Sequence, residues 1–371
     1  MENQIVRKQQ QAMTREGFDA LVSASPENST YTAGVAIPSH SIIRQRHVLC
    51  IVPASGPSKM IVANMEESFA KANAKIEDIR AYNEFTESTM NFLADALRDL
   101  GLERARVGIE LDYLPARDFI RLKTLLSHVT FEDAEVFFGK LRMIKTDEEI
   151  AKLRRVGRAA EKVHHDAFAR AKIGMTELDL AGFIVEGLYG EGVEQILKLV
   201  IGAGERCSHA NPGPTPNRIR EGDMIRVDIF GTLGGYLSDV ARTAVAGKPT
   251  AFQRETWKKL IEARAVTLEG IRPGVHSQEI YQRFSKKFKE LGLEPIHFVG
   301  HGLGLTLHED PYINKFSDTV LEAGMVLCVE PYYMMVEKNM GFQIEDEIIV
   351  TEKGYELITD YRDSSELIQV G

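Results

Sequence analysis

Cysteine is scarce: Cys50, Cys207 and Cys328 are the only ones in 371 residues. They are far apart, odd in number and form no Cys-x-x-Cys pair. That argues against a thiolate zinc site or a disulfide framework. They are expected as small buried hydrophobes in a reducing compartment. No apolar run of 18 residues occurs, so no transmembrane helix is expected. The opening Met1-Glu2-Asn3-Gln4 lacks the basic-then-apolar layout of a signal peptide, and a cytoplasmic protein is expected. Positive charge is in deficit. The formal net charge of −9 argues against nonspecific nucleic-acid binding. Short-period repeats and low-complexity tracts are also missing.

What is there is an ordinary globular composition, 44% hydrophobic and 27% charged, on a chain long enough for two domains. Residues 1–140 alternate strand and helix signals, which points to an α/β layer. Asp19–Ala24, His47–Val52, Lys59–Ala63 and Arg106–Glu110 read as strands, Ser88–Leu100 and Leu114–Leu126 as helices. Ser25-Pro26-Glu27-Asn28-Ser29 reads as a turn. A boundary falls near Gly139–Lys145, giving a second domain over 141–371. Thr146 to Glu149 forms a capping box for the helix that follows, and Ile173-Gly174 is expected to end it before Thr176 caps the next. Two more helices are expected over 251–270 and 277–291, separated by Arg272-Pro273-Gly274.

The chemistry gathers in three stretches of this second part. The first runs from Met224 to Thr243, two strand-like segments about a glycine-rich turn, which signals a hairpin. Folded between Leu233 and Gly234, it sets Asp228 opposite Asp239, with Cβ atoms roughly 5 Å apart. Either the two aspartates are solvated flanks of a turn, or a cation lies between them. The second stretch carries His297, His301 and His308 among glycines that leave the His301 imidazole unobstructed. Gly300-x-Gly302-x-Gly304 is not the Gly-x-Gly-x-x-Gly of a nucleotide loop. The third pairs Met325–Pro331 with Phe342–Val350. Folded about Glu337–Lys338, it sets Glu330 opposite Glu345, with Glu347 on the same face and Asp346 on the other. His40, His47 and His128 have no partners at ligand spacing. His164 and His165 are neighbours on a helix and point apart.

Asp228, Asp239, His301, Glu330 and Glu345 together offer four carboxylates and an imidazole. Such a set suits Mn(II), Co(II), Zn(II) or Fe(II). It exceeds what one tetrahedral ion needs, and two ions account for it. The reaction class that follows is metal-assisted hydrolysis with a bridging hydroxide as nucleophile.

At these residues the chain resembles the pita-bread metallopeptidases: Xaa-Pro peptidases, prolidases, methionine aminopeptidases and creatinase. The resemblance rests on Val227-Asp228-Ile229-Phe230-Gly231 with Ser238-Asp239-Val240-Ala241-Arg242-Thr243, Gly300-His301-Gly302, His308-Glu309-Asp310-Pro311, Val329-Glu330-Pro331 and Ile344-Glu345-Asp346. It implies a mixed α/β protein, with a creatinase/prolidase-like domain over 1–140. A pita-bread catalytic domain of two pseudo-symmetric α/β halves would follow over 141–371. It implies a homodimer, and a peptide or small amide as substrate. Asp239 and Glu345 would bridge two divalent ions. Glu330 would also shuttle the proton, and His308 would hold the oxyanion or the substrate carbonyl. His209 and His297 would line the substrate pocket, together with His308 and Tyr312.

The departures bear on the substrate. Prolidases tend to carry arginine where this chain has Tyr312 and Gln343, so two fixed positive charges are expected to be missing. Tyr332 stands where relatives often have glycine. An Xaa-Pro peptidase is the reading that fits best. A creatinase-like hydrolase of a small non-peptide C–N substrate is the alternative, and a non-catalytic module would be expected to have lost ligands.

Overall fold

The computed structural model describes residues 3–371 except Pro295 and Tyr361. The chain forms two compact units, Met1–Arg142 and Met143–Gly371.

The first unit holds strands β1 (Ala20–Ser23), β2 (Leu49–Pro53), β3 (Lys59–Ala63), β4 (Asp78–Tyr82), β5 (Arg106–Ile109) and β6 (Thr130–Asp133). They form one mixed sheet in the order β4-β3-β2-β1-β5-β6. Helices α1 (Gln4–Glu16), α2 (Pro26–Ala33), α3 (Glu67–Asn73), α4 (Thr89–Asp99), α5 (Ala116–Leu125) and α6 (Glu135–Met143) complete the series. Leu93 and Leu97 of α4 and Leu122 of α5 pack on Val22, Ile51 and Val107 of the sheet. The expected turn at Ser25–Ser29 is instead the start of α2. Ser25 caps the Asn28 amide and Pro26 takes the first helical position, where its missing N–H costs nothing. His47 and His40 are hydrogen-bonded, to Asp118 and Ser29.

The second unit repeats one plan. In its first half, α7 (Asp147–Arg170) and α8 (Glu177–Gly190) precede β7 (Gln195–Ala203), β8 (Met224–Leu233), β9 (Tyr236–Leu237) and β10 (Val240–Ala246). In its second, α9 (Ala251–Glu269) and α10 (Ser277–Glu290) precede β11 (Phe298–Gly302), β12 (Glu309–Asn314) and β13 (Val326–Val329). The chain continues through β14 (Tyr332–Met335), β15 (Met340–Gln343), β16 (Asp346–Thr351), β17 (Gly354–Leu357) and β18 (Ile368–Val370). The sheets run β18-β10-β8-β7 and β12-β11-β13-β16-β17.

The likeness of the halves reaches single hydrogen bonds. Gly174 donates to Ile219, which donates back to Met175, both at 2.8 Å. Gly274 donates to Leu321 at 2.8 Å, which donates back to Val275 at 2.9 Å. Both glycines take a left-handed φ, +91° and +83°. Each half has its own core. Val163, Leu180 and Ile184 pack on Ile225, Val227 and Ile229, while Trp257, Phe284 and Phe288 pack on Val299, Leu327 and Ile348.

Thr146 and Glu149 make the expected capping box. The helix they start does not reach Gly174. It stops at Arg170, where Ala171 turns to extended backbone. The expected strand over 342–350 is two strands, broken at Ile344–Glu345.

Candidate metal centre

The first hairpin turns at Gly234-Gly235, whose φ angles of +58° and +83° make the two-residue turn that strand twist favours. Leu233 faces Tyr236, and Asp228 therefore faces Ala241. The expected Asp228–Asp239 pairing is thus out by two residues. Because the side-chain period is two, the slip leaves Asp239 on the same face as Asp228, as its diagonal neighbour.

The second hairpin keeps the expected register. Val329 pairs with Asp346 and Tyr332 with Gln343, so the unpaired Glu330 and Glu345 lie across from one another. His301 faces Cys328 on the adjoining strand.

A main-chain bond and a bond from main chain to side chain are among those that join the hairpins. Glu345 donates its amide to the Ala241 carbonyl at 3.0 Å, and Asp239 donates its amide to Glu347 Oε1 at 2.8 Å. Behind them, Arg242 binds Glu161 at 2.7 Å and Asp346 at 2.9 Å, all three side chains buried. Arg264 and Thr359 also bind Asp346. Burial alone would raise Asp346, but these guanidinium groups hold its carboxyl below the usual range.

The result is a buried acidic cluster about one imidazole. His301 Nε2 lies 3.2 Å from Glu330 Oε1, 3.5 Å from Asp239 Oδ2 and 3.9 Å from Glu345 Oε1. Its Nδ1 lies 3.0 Å from the Gly302 carbonyl. A carbonyl only accepts, so Nδ1 carries the hydrogen, and in the neutral ring Nε2 turns its lone pair to the carboxylates. Asp228 Oδ1, His301 Nε2, Glu330 Oε1 and Glu345 Oε1 are all buried without a hydrogen-bond partner. Converging buried lone pairs are costly unless a cation takes them up, so the donor set fits a divalent ion. Burial pushes Asp228 up to about 7, against the pull of Arg226 and with a further push from Glu330. Burial, and then the neighbouring carboxylates, raise Asp239 and Glu345 well above the usual range.

Cys328 lies within reach of Asp239, His301 and Glu345. Burial raises its thiol well above the ordinary value, so it stays neutral, as expected of a buried hydrophobe. Cys50 and Cys207 are likewise buried and free.

Of the other expected site residues, His308 stacks on His301 with centroids 3.7 Å apart and planes at 14°. Tyr312 stands 6.1 Å from the His308 ring. Phe298 comes within 6.2 Å of both His308 and Tyr332. His209 is exposed, and its carbonyl accepts from Arg226. His297 is exposed, and its ring contact is with Phe316.

Arg226 and Glu347 join the site without belonging to any motif of the sequence. Both signals were parity: Arg226 lies two residues before Asp228, and Glu347 two after Glu345. Arg226 also corrects one expectation. A fixed positive charge does reach Gln343, from the facing hairpin, with Nη1 donating to Gln343 Oε1 at 2.7 Å.

Residues 151–352 match the model of metallopeptidase family M24, and residues 6–144 that of the creatinase/prolidase N-terminal domain. The chain belongs to metallopeptidase family M24. This M24 chain is 32% identical over 314 residues to the probable dipeptidase PepE of Mycobacterium tuberculosis, covering 84% of itself and 82% of that protein. It is 29% identical over 362 residues to the Xaa-Pro dipeptidase of Lactobacillus helveticus, covering 95% of each. The crystal structure of dipeptidase PepE from Mycobacterium ulcerans matches with a TM-score of 0.84 at 26% identity, covering 99% of this chain and 97% of that one. The M24 chain is therefore a hydrolase of a family that works with divalent metal ions, a creatinase-like α/β domain followed by a pita-bread catalytic domain. Among its described residues, no helix is long and apolar enough to cross a membrane.

Proposed function

We propose that this M24 metallopeptidase is an exopeptidase that hydrolyses Xaa-Pro peptide bonds with divalent ions held by Asp228, Asp239, His301, Glu330 and Glu345. The observation that carries the proposal is the set of buried, unpartnered atoms of Asp228, His301, Glu330 and Glu345, with Asp239 Oδ2 3.5 Å from the His301 ring. Four carboxylates and an imidazole suit two ions, with Mn(II) or Co(II) preferred and Zn(II) or Fe(II) the other candidates. When bound, such ions supply a nucleophilic water at neutral pH and polarise the scissile carbonyl.

The remaining work falls to the chain. Glu330 accepts from Gln343 on Oε2 and leaves Oε1 toward His301. It is placed to carry a proton from the attacking water to the leaving amine. His308 is exposed at one edge, yet the water it loses against its neighbours, and then His301, pull it down to about 4, so its ring is neutral at pH 7. A neutral ring, held in place by stacking on His301, donates a hydrogen bond to the substrate carbonyl without adding charge. Phe298, Tyr312 and Tyr332 offer aromatic surface for a proline ring. His209 and His297 would line the substrate pocket, as the family resemblance implies.

The proposal draws support from the Xaa-Pro dipeptidase relative. Its test is hydrolysis of Ala-Pro, a longer Xaa-Pro peptide and creatine by EDTA-stripped protein before and after Mn(II) addition. Mn(II)-dependent release of the N-terminal residue is expected. No such release from either Xaa-Pro substrate would overturn the proposal, and hydrolysis of creatine instead would favour the small-amide reading.

A further inference from the structure

Arg226 lies on β8 two residues before Asp228, so both side chains leave the sheet on one face. It is 2% exposed, an unusual place for a guanidinium. Its Nη1 donates to Gln343 Oε1 at 2.7 Å, and its Nη2 donates to the carbonyls of His209 and Ala210. Gln343 is 4% exposed. Its Nε2 donates to Glu330 Oε2 at 3.4 Å and to Glu345 Oε2 at 3.3 Å.

These contacts have a directional consequence. A guanidinium has donors only, and a primary amide has one oxygen and one NH2 group. With the oxygen taken by Arg226, the NH2 group has to face the two glutamates. Without Arg226 the buried amide oxygen loses its partner, and only the two carboxylates still fix where the NH2 group points. The same guanidinium ties down the main chain at His209. One side chain thus reaches both the carboxylate cluster and the loop that carries a proposed substrate-binding histidine.

We propose that Arg226 is a positioning residue of this centre. It orients the Gln343 amide so that Glu330 and Glu345 are held for metal binding, and it fixes the His209–Ala210 segment beside them. The inference deepens the metallopeptidase reading above and rests on it for the role of the glutamates.

The experiment compares Arg226→Met, Arg226→Lys and Gln343→Met with the wild type in the full-length protein. Mn(II) affinity is read by calorimetry on EDTA-stripped protein, and KM and kcat on an Xaa-Pro peptide. Gln343→Met removes the amide but leaves the guanidinium on the His209 loop. It is expected to weaken Mn(II) about tenfold or more with KM little changed. Arg226→Met is expected to weaken Mn(II) similarly and also to raise KM. Arg226→Lys is expected to recover part of the Mn(II) affinity, since one ammonium cannot span both sites. Wild-type Mn(II) affinity in folded Arg226→Met overturns the proposal. Should Arg226→Met fail to fold, Gln343→Met decides alone, and wild-type Mn(II) affinity there overturns it. If the wild type binds Mn(II) yet cleaves no Xaa-Pro peptide, the proposed function fails, while the affinity comparison still decides the role of Arg226.

Discussion

The backbone amide of Glu345 donates to the carbonyl of Ala241 at 3.0 Å. This bond, between residues of opposite halves of the unit, seats the second acidic hairpin against the first. Asp239 and Glu347 make the neighbouring link at 2.8 Å. The acidic centre is therefore a junction of two hairpins rather than a pocket in one of them.

Glu347→Leu would leave the buried Asp239 amide without its acceptor. Such a loss costs about 1–3 kcal/mol. Chemical denaturation should show a drop of that size, and Glu347→Gln, which keeps an acceptor oxygen, should recover much of it. Equal losses in both variants would contradict the role given to Glu347.

Gly157 is open space for the same carboxylate. A Cβ there would collide with Glu347 Oε2. Gly157→Ala is expected to destabilise by about 1–3 kcal/mol through overpacking. Because the two sites touch, its cost should shrink when Glu347 is already Leu, and a double-mutant cycle measures this. Strict additivity would count against the contact.

Arg242→Met would remove the guanidinium that Glu161 and Asp346 share in the interior, leaving Asp346 with Arg264 and Thr359. Removing one partner of a buried charge network costs about 3–5 kcal/mol. Denaturation of the metal-free protein should show the loss, since Arg242 supports the centre from behind. A change under about 1 kcal/mol would contradict the buried network.

The pH dependence of the metal-free protein follows from the raised carboxyls. Asp228 sits at about 7 in the fold against an ordinary value of 3.8, and Asp239 and Glu345 are also raised well above theirs. The folded state then holds more protons than the unfolded one, so stability falls as pH rises through the folded values. His164, His165, His40 and His308, lowered to about 3 or 4, act in the opposite sense until the unfolded imidazoles have lost their protons, about one unit above their ordinary 6.5. The clean window therefore opens at about pH 7.5, where Asp239 and Glu345 carry the slope. There the melting temperature of EDTA-stripped protein should fall with pH, and Mn(II) should flatten or reverse the slope. A rising melting temperature without metal would contradict this.

How much of this could be read from the sequence depended on what each signal fixes. Side-chain parity is robust, and it placed Asp228, Asp239, Glu330 and Glu345 on facing surfaces even where the register was wrong. The register of the first hairpin was not fixed, because Gly231, Gly234 and Gly235 offer more than one turn, and backbone geometry chose the last two. The second hairpin was legible because its strands on either side of the break share one register. Ser25-Pro26 was ambiguous in kind, since the same residues open turns and helices. Arg226 was invisible for another reason. Its partners, Gln343 and the His209 carbonyl, come from distant segments, and only the packing of the hairpins brings them together.

The central claim is that Asp228, Asp239, His301, Glu330 and Glu345 form a centre for divalent metal. The most direct measurement is calorimetric titration of the EDTA-stripped protein with Mn(II), set beside the double variant Asp239→Asn, Glu345→Gln. The wild type should take up two ions per chain, and the folded double variant should lose at least one of them. No Mn(II) uptake by the wild type, or unchanged stoichiometry and affinity in the double variant, would contradict the account.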